Sequence, residues 1–241
     1  MIAPREQRAL ITGASSGIGK ATAIAFAQQG IHLALVSRNQ SKLEEVVQQI
    51  SSYGVSAKAY VVDLQETHHV KERISAIASD FGAIDILVNN AGMGYTRLLA
   101  ETPLQDWEQV LNLNLTSVFQ CIQAILPEMR QHQRGTIINV ASIAGHQTFP
   151  NWGAYCVSKF GLVALSKTLA AEEQANGIRV VTISPGSVNT PIWDTETVDA
   201  DFDRSQMLTP EIVAQTILYA ALLPEQAVIE ELTLMPNAGT F

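Results

Sequence analysis

Residues 8–21 read RALITGASSGIGKA, and the order of residue types in that stretch decides the fold class. The apolar run RALIT reads as a strand, Gly13, Gly17 and Gly19 as a turn, and the residues after them as a helix. Glycines at such a junction let the backbone turn tightly and approach a ligand closely. The helix start offers free N–H groups and the positive end of its dipole, a place suited to a pyrophosphate. Ser15, Ser16 and Ile18 fill positions between the glycines. The spacing is G-x-x-x-G-x-G rather than G-x-G-x-x-G, so the strand–turn–helix context carries the reading. A Gly/Ser-rich loop with no ligand has the same composition.

The pattern then repeats along the chain. Gly30 stands ahead of HLALVSR, Gly54 ahead of VSAKAYVVDL, Gly82 ahead of AIDILVNN, Gly135 ahead of TIINVAS and Gly177 ahead of IRVVTISPG. Glycine suits the position just past a helix, where the backbone turns left-handed. The runs that follow are continuously apolar, as in strands covered on both faces. With RALITG and the late EELTLMP, about seven strands alternate with helices, which implies right-handed crossovers and a parallel sheet. The expected fold is α/β: a single Rossmann domain over residues 1–241, a doubly wound parallel sheet with helices on both faces. Ser41 to Glu44 and Thr102 to Gln105 read as capping boxes, the second with Pro103 at the first helical position, and Thr209-Pro210 as a further helix start.

Composition narrows the function classes. A chain of 241 residues, 47% hydrophobic, has material for a substantial core. A net charge of −8 argues against nucleic acid or an anionic membrane as partner. The N-terminus has no secretory pattern, and no stretch approaches the ~18 apolar residues of a membrane span. Cys121 and Cys156 lack metal-type spacing, so no metal is expected and the setting reads as reducing and cytoplasmic.

Two further places carry chemistry. The second strand ends in Ser37 and Arg38, with no carboxylate to meet a ribose 2′-OH and a guanidinium suited to a 2′-phosphate. That favours NADP(H) over NAD(H), the alternative being an arginine that points to solvent. Residues 154–162, AYCVSKFGL, place Tyr155 and Lys159 four apart, on one face of a helix. Taken alone, this is either a surface pair or a tyrosine tuned by a cation. Moving a phenol from pKa ≈ 10 to roughly 7 takes about 4 kcal/mol, of which one nearby ammonium could supply much.

TGASSGIG, NNAG at 89–92, Ser142 thirteen residues before Tyr155, the Tyr155-x-x-x-Lys159 pair and PG at 185–186 occur in order. Together they closely resemble the classical short-chain dehydrogenase/reductases, over about Arg8 to Met235, and are similar to NADP-dependent carbonyl and 3-oxoacyl-acyl-carrier-protein reductases. The resemblance implies that Tyr155 gives a proton to a carbonyl oxygen as hydride arrives from the nicotinamide. It implies that Lys159 lowers the Tyr155 pKa and holds the ribose, and that Ser142 hydrogen-bonds the oxygen. Asn114 would hold a water linking Lys159 to solvent. Asn90 and its NNAG turn would line the cofactor, Asp63 would meet the adenine, and Val188 and Thr190 would hold the carboxamide. Gly92 and Gly186 would permit close backbone approach, and Leu64, Ala91 and Pro185 would complete the cofactor site. The family usually forms tetramers, so a homotetramer is implied, with a homodimer as the alternative. The chain departs from the pattern in ending LTLMPNAGTF, where acyl-carrier-protein reductases have a VDGG-like ending. It also has Ser15-Ser16 where many NADP-binding members carry a base.

The stretch of about residues 187–208 reads as a non-periodic substrate lid or binding loop, with Asp194, Glu196, Asp199, Asp201 and Asp203 before its first base, Arg204, the alternative being a solvated surface insertion. Met93, Tyr95, His146, Phe149, Trp152 and Trp193 are the expected walls of a broad, apolar substrate pocket, each with core packing as its alternative. The expected activity is reduction of ketones, aldehydes or 3-oxoacyl groups. The alternatives are alcohol oxidation and non-catalytic cofactor sensing.

Overall fold

A computed structural model describes residues 6–200 and 202–239. The apolar runs become strands β1 (Arg8–Thr12), β2 (His32–Ser37), β3 (Ala57–Val61), β4 (Ile86–Asn89), β5 (Gly135–Val140), β6 (Ile178–Pro185) and β7 (Glu231–Leu234). They form one seven-stranded sheet in the order β3-β2-β1-β4-β5-β6-β7, and every pairing is parallel. Side chains alternate between the faces of a strand, so Leu10 and Ile11 enter two different cores. Ile11 and Leu35 pack with Phe26 of α1 (Gly17–Gln28), Leu43 of α2 (Gln40–Ile50) and Ile217 of α7 (Pro210–Ala221). Leu10 and Leu87 pack with Ile74 of α3 (Thr67–Phe81), Ile125 of α5 (Ser117–His132) and Leu162 of α6 (Gly153–Glu173). Fully burying each such leucine or isoleucine contributes ~1.5–3 kcal/mol, which is why both sheet faces must be covered. This is the expected α/β fold. The strand order reverses between β1 and β4, and that reversal opens a crevice beyond their carboxyl ends.

Local signals differ from expectation at three helix boundaries. Asn39, not Ser41, caps α2: its side-chain oxygen accepts from the Lys42 N–H at 3.0 Å, because the strand ends early enough to start the helix at Gln40. Pro103 is the N-cap of α4 (Leu104–Leu111), and the Thr102 hydroxyl donates to the Leu98 carbonyl instead of capping. Ahead of β5 the left-handed residue is Gln133 (φ 51°), while Gly135 already belongs to the strand. Thr209 caps α7 as read, accepting from Ile212 N–H at 3.4 Å.

Between α4 and α5 the helix widens into a π turn, Asn112–Thr116. The continuous helical run Leu104–His132 spans 29 residues and is, by length and composition, apolar enough to cross a membrane. That corrects the expectation that no stretch comes near. Polar residues interrupt the run, and Cys121, Ile122 and Ile125 are packed in the core.

Residues 187–208 carry two short 3-10 turns, Pro191–Asp194 and Arg204–Gln206, and Asp201 lies outside the described residues. The segment is tied to the chain after β4. Thr96 N–H donates to Thr197 O at 2.9 Å, Asp199 N–H to Thr96 Oγ1 at 2.6 Å, and Thr197 Oγ1 to Gly94 O at 2.8 Å.

Candidate active site

One cavity of about 600 Å³ occupies the crevice. Its floor is the glycine turn. Gly13 has φ +66°, and a Cβ there would stand 2.9 Å from the Ala91 Cα, so glycine alone lets the two turns touch. The turns are also sewn together. Thr12 Oγ1 accepts from the N–H groups of Asn90 (3.0 Å) and Ala91 (3.1 Å), and Asn90 Nδ2 donates to Thr12 O at 3.0 Å. Asn90 is therefore on the wall with its amide nitrogen already engaged. Ser15, Ser16, Gly17 and Ile18 line the cavity at the start of α1, where first-turn N–H groups have no intrahelical acceptor. Gly19 lies behind them, where a side chain would run into the Gly13 carbonyl.

The far end of this floor is charged. Ser37, Arg38, Asp63 and Leu64 all line it. Arg38 Nη1 is 4.0 Å from Asp63 Oδ2, and its side chain is 62% exposed. Such a long, solvated pair is weak and leaves guanidinium donors free for a stronger anion. Lys42 lines the same end and was missed by sequence reasoning. The available signal was its position four residues after Arg38, in the first turn of α2.

At the other end α6 presents Tyr155 and Lys159, and β5 runs out into Ser142. Ser142 starts a 3-10 turn and accepts from Ala144 N–H at 3.1 Å. Lys159 is buried, and its Nζ donates to Val140 O at 3.0 Å and stands 5.7 Å from the Tyr155 ring centroid. Burial pushes the Tyr155 phenol up to about 12, against a lowering by its hydrogen bond with Ser142. Burial likewise pushes the Lys159 amine down to about 8. The expected lowering of the phenol is thus reversed in this chain on its own, because desolvation outweighs the neighbours.

Asn114 is fully buried in the π turn and lies one layer behind the wall. Its Oδ1 accepts from Met93 N–H at 2.8 Å, and its Nδ2 donates to Met93 O at 2.9 Å and to Ser158 Oγ at 3.1 Å. Ser158 Oγ in turn donates to Tyr155 O at 2.7 Å. The side chain clamps the turn after β4 to the Tyr155 turn of α6 rather than facing open space. A Cβ on Gly92 would sit 3.2 Å from that amide oxygen and 3.7 Å from Lys159 Nζ.

Pro185, Gly186, Val188 and Thr190 line the cavity beyond β6, and Met93, Phe149, Trp152 and Trp193 line its open side. Ile192 and Phe202 join them and were not anticipated, since only the folding of residues 187–208 brings them there. Two expected wall residues stand elsewhere. Tyr95 is buried against Val110 and Ala154, its hydroxyl donating to Asp106 Oδ2 at 2.8 Å. His146 Nε2 lies 2.9 Å from Ser184 Oγ and 3.3 Å from Glu231 Oε1, away from the cavity. Cys121 and Cys156 are buried free thiols, and among the described residues no group of three His, Cys, Asp or Glu could hold a metal.

Comparison with known proteins identifies the family. The short chain dehydrogenase family profile matches residues 7–201. An uncharacterized oxidoreductase of Staphylococcus saprophyticus is 34% identical, covering 97% of each chain. The 3-oxoacyl-[acyl-carrier-protein] reductase of Thermotoga maritima is 35% identical over 88% of this chain and 89% of its own. An alcohol dehydrogenase from the archaeon Thermococcus sibiricus, solved with 5-hydroxy-NADP, superposes with a TM-score of 0.88 at 28% identity, covering 97% of each chain.

Proposed function

The chain belongs to the short-chain dehydrogenase family and is an oxidoreductase; on that premise we propose that it reduces ketones, aldehydes or 3-oxoacyl groups, using NADP(H) in preference to NAD(H). The observation that carries this is the single cavity joining the glycine turn to Ser142, Tyr155 and Lys159. The residues present fit a dinucleotide. The turn is cleared of side chains at Gly13, the start of α1 suits a pyrophosphate, and Arg38 with Lys42 suits a further phosphate. When bound, the cofactor supplies the hydride.

The chain's own residues supply the proton and the geometry. A phenol titrating near 12 carries its proton at neutral pH, the state needed to donate to a carbonyl oxygen. Ser142, already within hydrogen-bonding reach of that phenol, stabilises negative charge developing on the same oxygen. Lys159 favours the phenolate left after donation, because its ammonium faces the ring. Asn114 holds Met93 and, through Ser158, the Tyr155 turn. Residues 187–208 act as the lid of a single domain, tied down through Thr96. A homotetramer, or a homodimer, belongs to the same reading, and exposed Phe119 on α5 with Val157 and Phe160 on α6 supports it. The buried free thiols suit the cytoplasm.

Alcohol oxidation is the second reading, favoured by the alcohol dehydrogenase among the similar structures. Initial rates of NADPH and NADH consumption with a ketone, an aldehyde and a 3-oxoacyl thioester test the proposal. Consumption of NADPH well above NADH with at least one carbonyl is expected. Equal use of the two cofactors contradicts the cofactor preference, and consumption of neither contradicts the reaction.

A further inference from the structure

We propose that the reacting end of this cavity selects a neutral carbonyl compound bearing an aromatic or bulky apolar group, and that Trp152 and Trp193 make the selection. The inference rests on the carbonyl-reduction reading and narrows its substrate.

The first observation is a continuous series of rings. Tyr155 and Trp152 lie 5.4 Å apart between centroids at 66°, Trp152 and Trp193 5.8 Å apart at 71°, and Trp193 and Phe202 5.4 Å apart at 86°. These are edge-to-face contacts, the arrangement aromatic quadrupoles favour, and another ring can extend the series. The series begins at the phenol assigned the proton.

The second observation is that the rings are held before any ligand arrives. Asn151 has φ +69°, a left-handed conformation that asparagine adopts more readily than most side chains. Its carbonyl accepts from Arg97 N–H at 2.7 Å, and Trp152 N–H donates to Phe149 O at 3.2 Å. Trp193 Nε1–H donates to Val188 O at 2.7 Å. A wall already fixed loses little further freedom on binding.

The third observation is the distribution of charge. Among the described residues, the only ionisable side chains lining the reacting end are Tyr155 and Lys159, and the Lys159 Nζ is engaged by Val140 O. Arg38, Lys42 and Asp63 line the opposite end. Asp194 pairs with Arg204, and Asp203 accepts from Ser205. A carboxylate-bearing substrate would therefore lose its hydration against apolar rings, with a single buried ammonium, already donating to a backbone carbonyl, in exchange, which is costly. A neutral aryl group loses nothing comparable and gains ring contacts.

The test measures kcat/KM for acetophenone, acetone and acetoacetate at saturating NADPH, in the full chain and in Trp193→Ala and Trp193→Phe. Acetophenone is expected to exceed acetoacetate by at least about 10-fold, and Trp193→Ala to cut the acetophenone-to-acetone ratio by about 10-fold, mainly through KM. Trp193→Phe keeps a ring but loses the tie to Val188, and is expected to retain most of the preference. Acetoacetate used as well as acetophenone, a ratio unchanged in Trp193→Ala, or equal losses in the two variants would each overturn the inference. Binding separates its failure from that of carbonyl reduction. 1-Phenylethanol and 3-hydroxybutyrate are titrated against the NADPH complex, reading bound NADPH fluorescence. A saturable response to the aryl alcohol alone, weakened in Trp193→Ala, upholds the inference even where no carbonyl is turned over. Equal responses overturn it.

Discussion

The two ends of the cavity are built by different means. The glycine-turn end is backbone: Gly13 and Ala91 approach through the absence of a side chain, and Thr12 and Asn90 fasten their turns together. The reacting end beyond Tyr155 is side chain: rings packed edge to face, with a loop held by Thr96. Backbone geometry is set by local sequence and admits few solutions, so it suits a ligand part that does not vary. A wall of side chains on an irregular segment can be rebuilt residue by residue without disturbing the sheet, so it suits the part that does. Lys159 stands where the two ends meet.

Four changes sharpen or break this contrast. The largest effect falls at the junction. The Lys159 value near 8 lies below the 10.5 of the free side chain, so the unfolded chain holds more protons between these values and stability rises with pH across that window. Lys159→Met removes the penalty, making the variant more stable at neutral pH by about 3 kcal/mol, with the gap closing toward pH 10.5. Denaturant midpoints across that range check it, and a gap that does not narrow contradicts the buried-amine account. Gly13→Val attacks the backbone end. It should lower kcat/KM for NADPH by about 100-fold, since a misplacement of about 1 Å caused far from the chemistry can be that costly.

Arg38→Asp acts at the same end with less force. It should reduce the NADPH-to-NADH preference by about 10-fold, the scale of one or two lost hydrogen bonds to a charged group. Competitive binding titrations of the two cofactors measure it, and an unchanged preference removes the 2′-phosphate argument. Thr96→Val tests the side-chain end. Losing the acceptor for Asp199 N–H should raise the KM for carbonyl substrates about 5-fold while leaving NADPH affinity alone, as one net hydrogen bond would. A matching loss of NADPH affinity would show that the two ends are not independent.

The same contrast explains what could be read in advance. RALITGASSGIG gives strand, turn and helix in one contiguous stretch, so the sheet and most of the residues lining the glycine-turn end of the cavity are legible. Lys42 was missed because the helix start was read at Ser41, two residues after the true cap, Asn39. The reacting end was only half legible. Trp152, Trp193, Phe149 and Met93 reach the wall, but Tyr95 is drawn away by Asp106 and His146 by Ser184 and Glu231, partners that a linear reading does not join. Phe202 arrives only because the irregular segment folds back. The π turn that buries Asn114 has no simple sequence signature, and its clamp on Met93 links residues 21 apart.

The central claim is that Tyr155 donates the proton at the point where the two ends meet. Single-turnover oxidation of bound NADPH by a ketone, in the parent chain and in Tyr155→Phe, tests it most directly. The account predicts unchanged NADPH affinity and a transfer rate lower by about 1,000-fold, within the usual range for a lost general acid. Transfer in Tyr155→Phe within about tenfold of the parent would contradict it, because a group worth so little is not acting as a general acid.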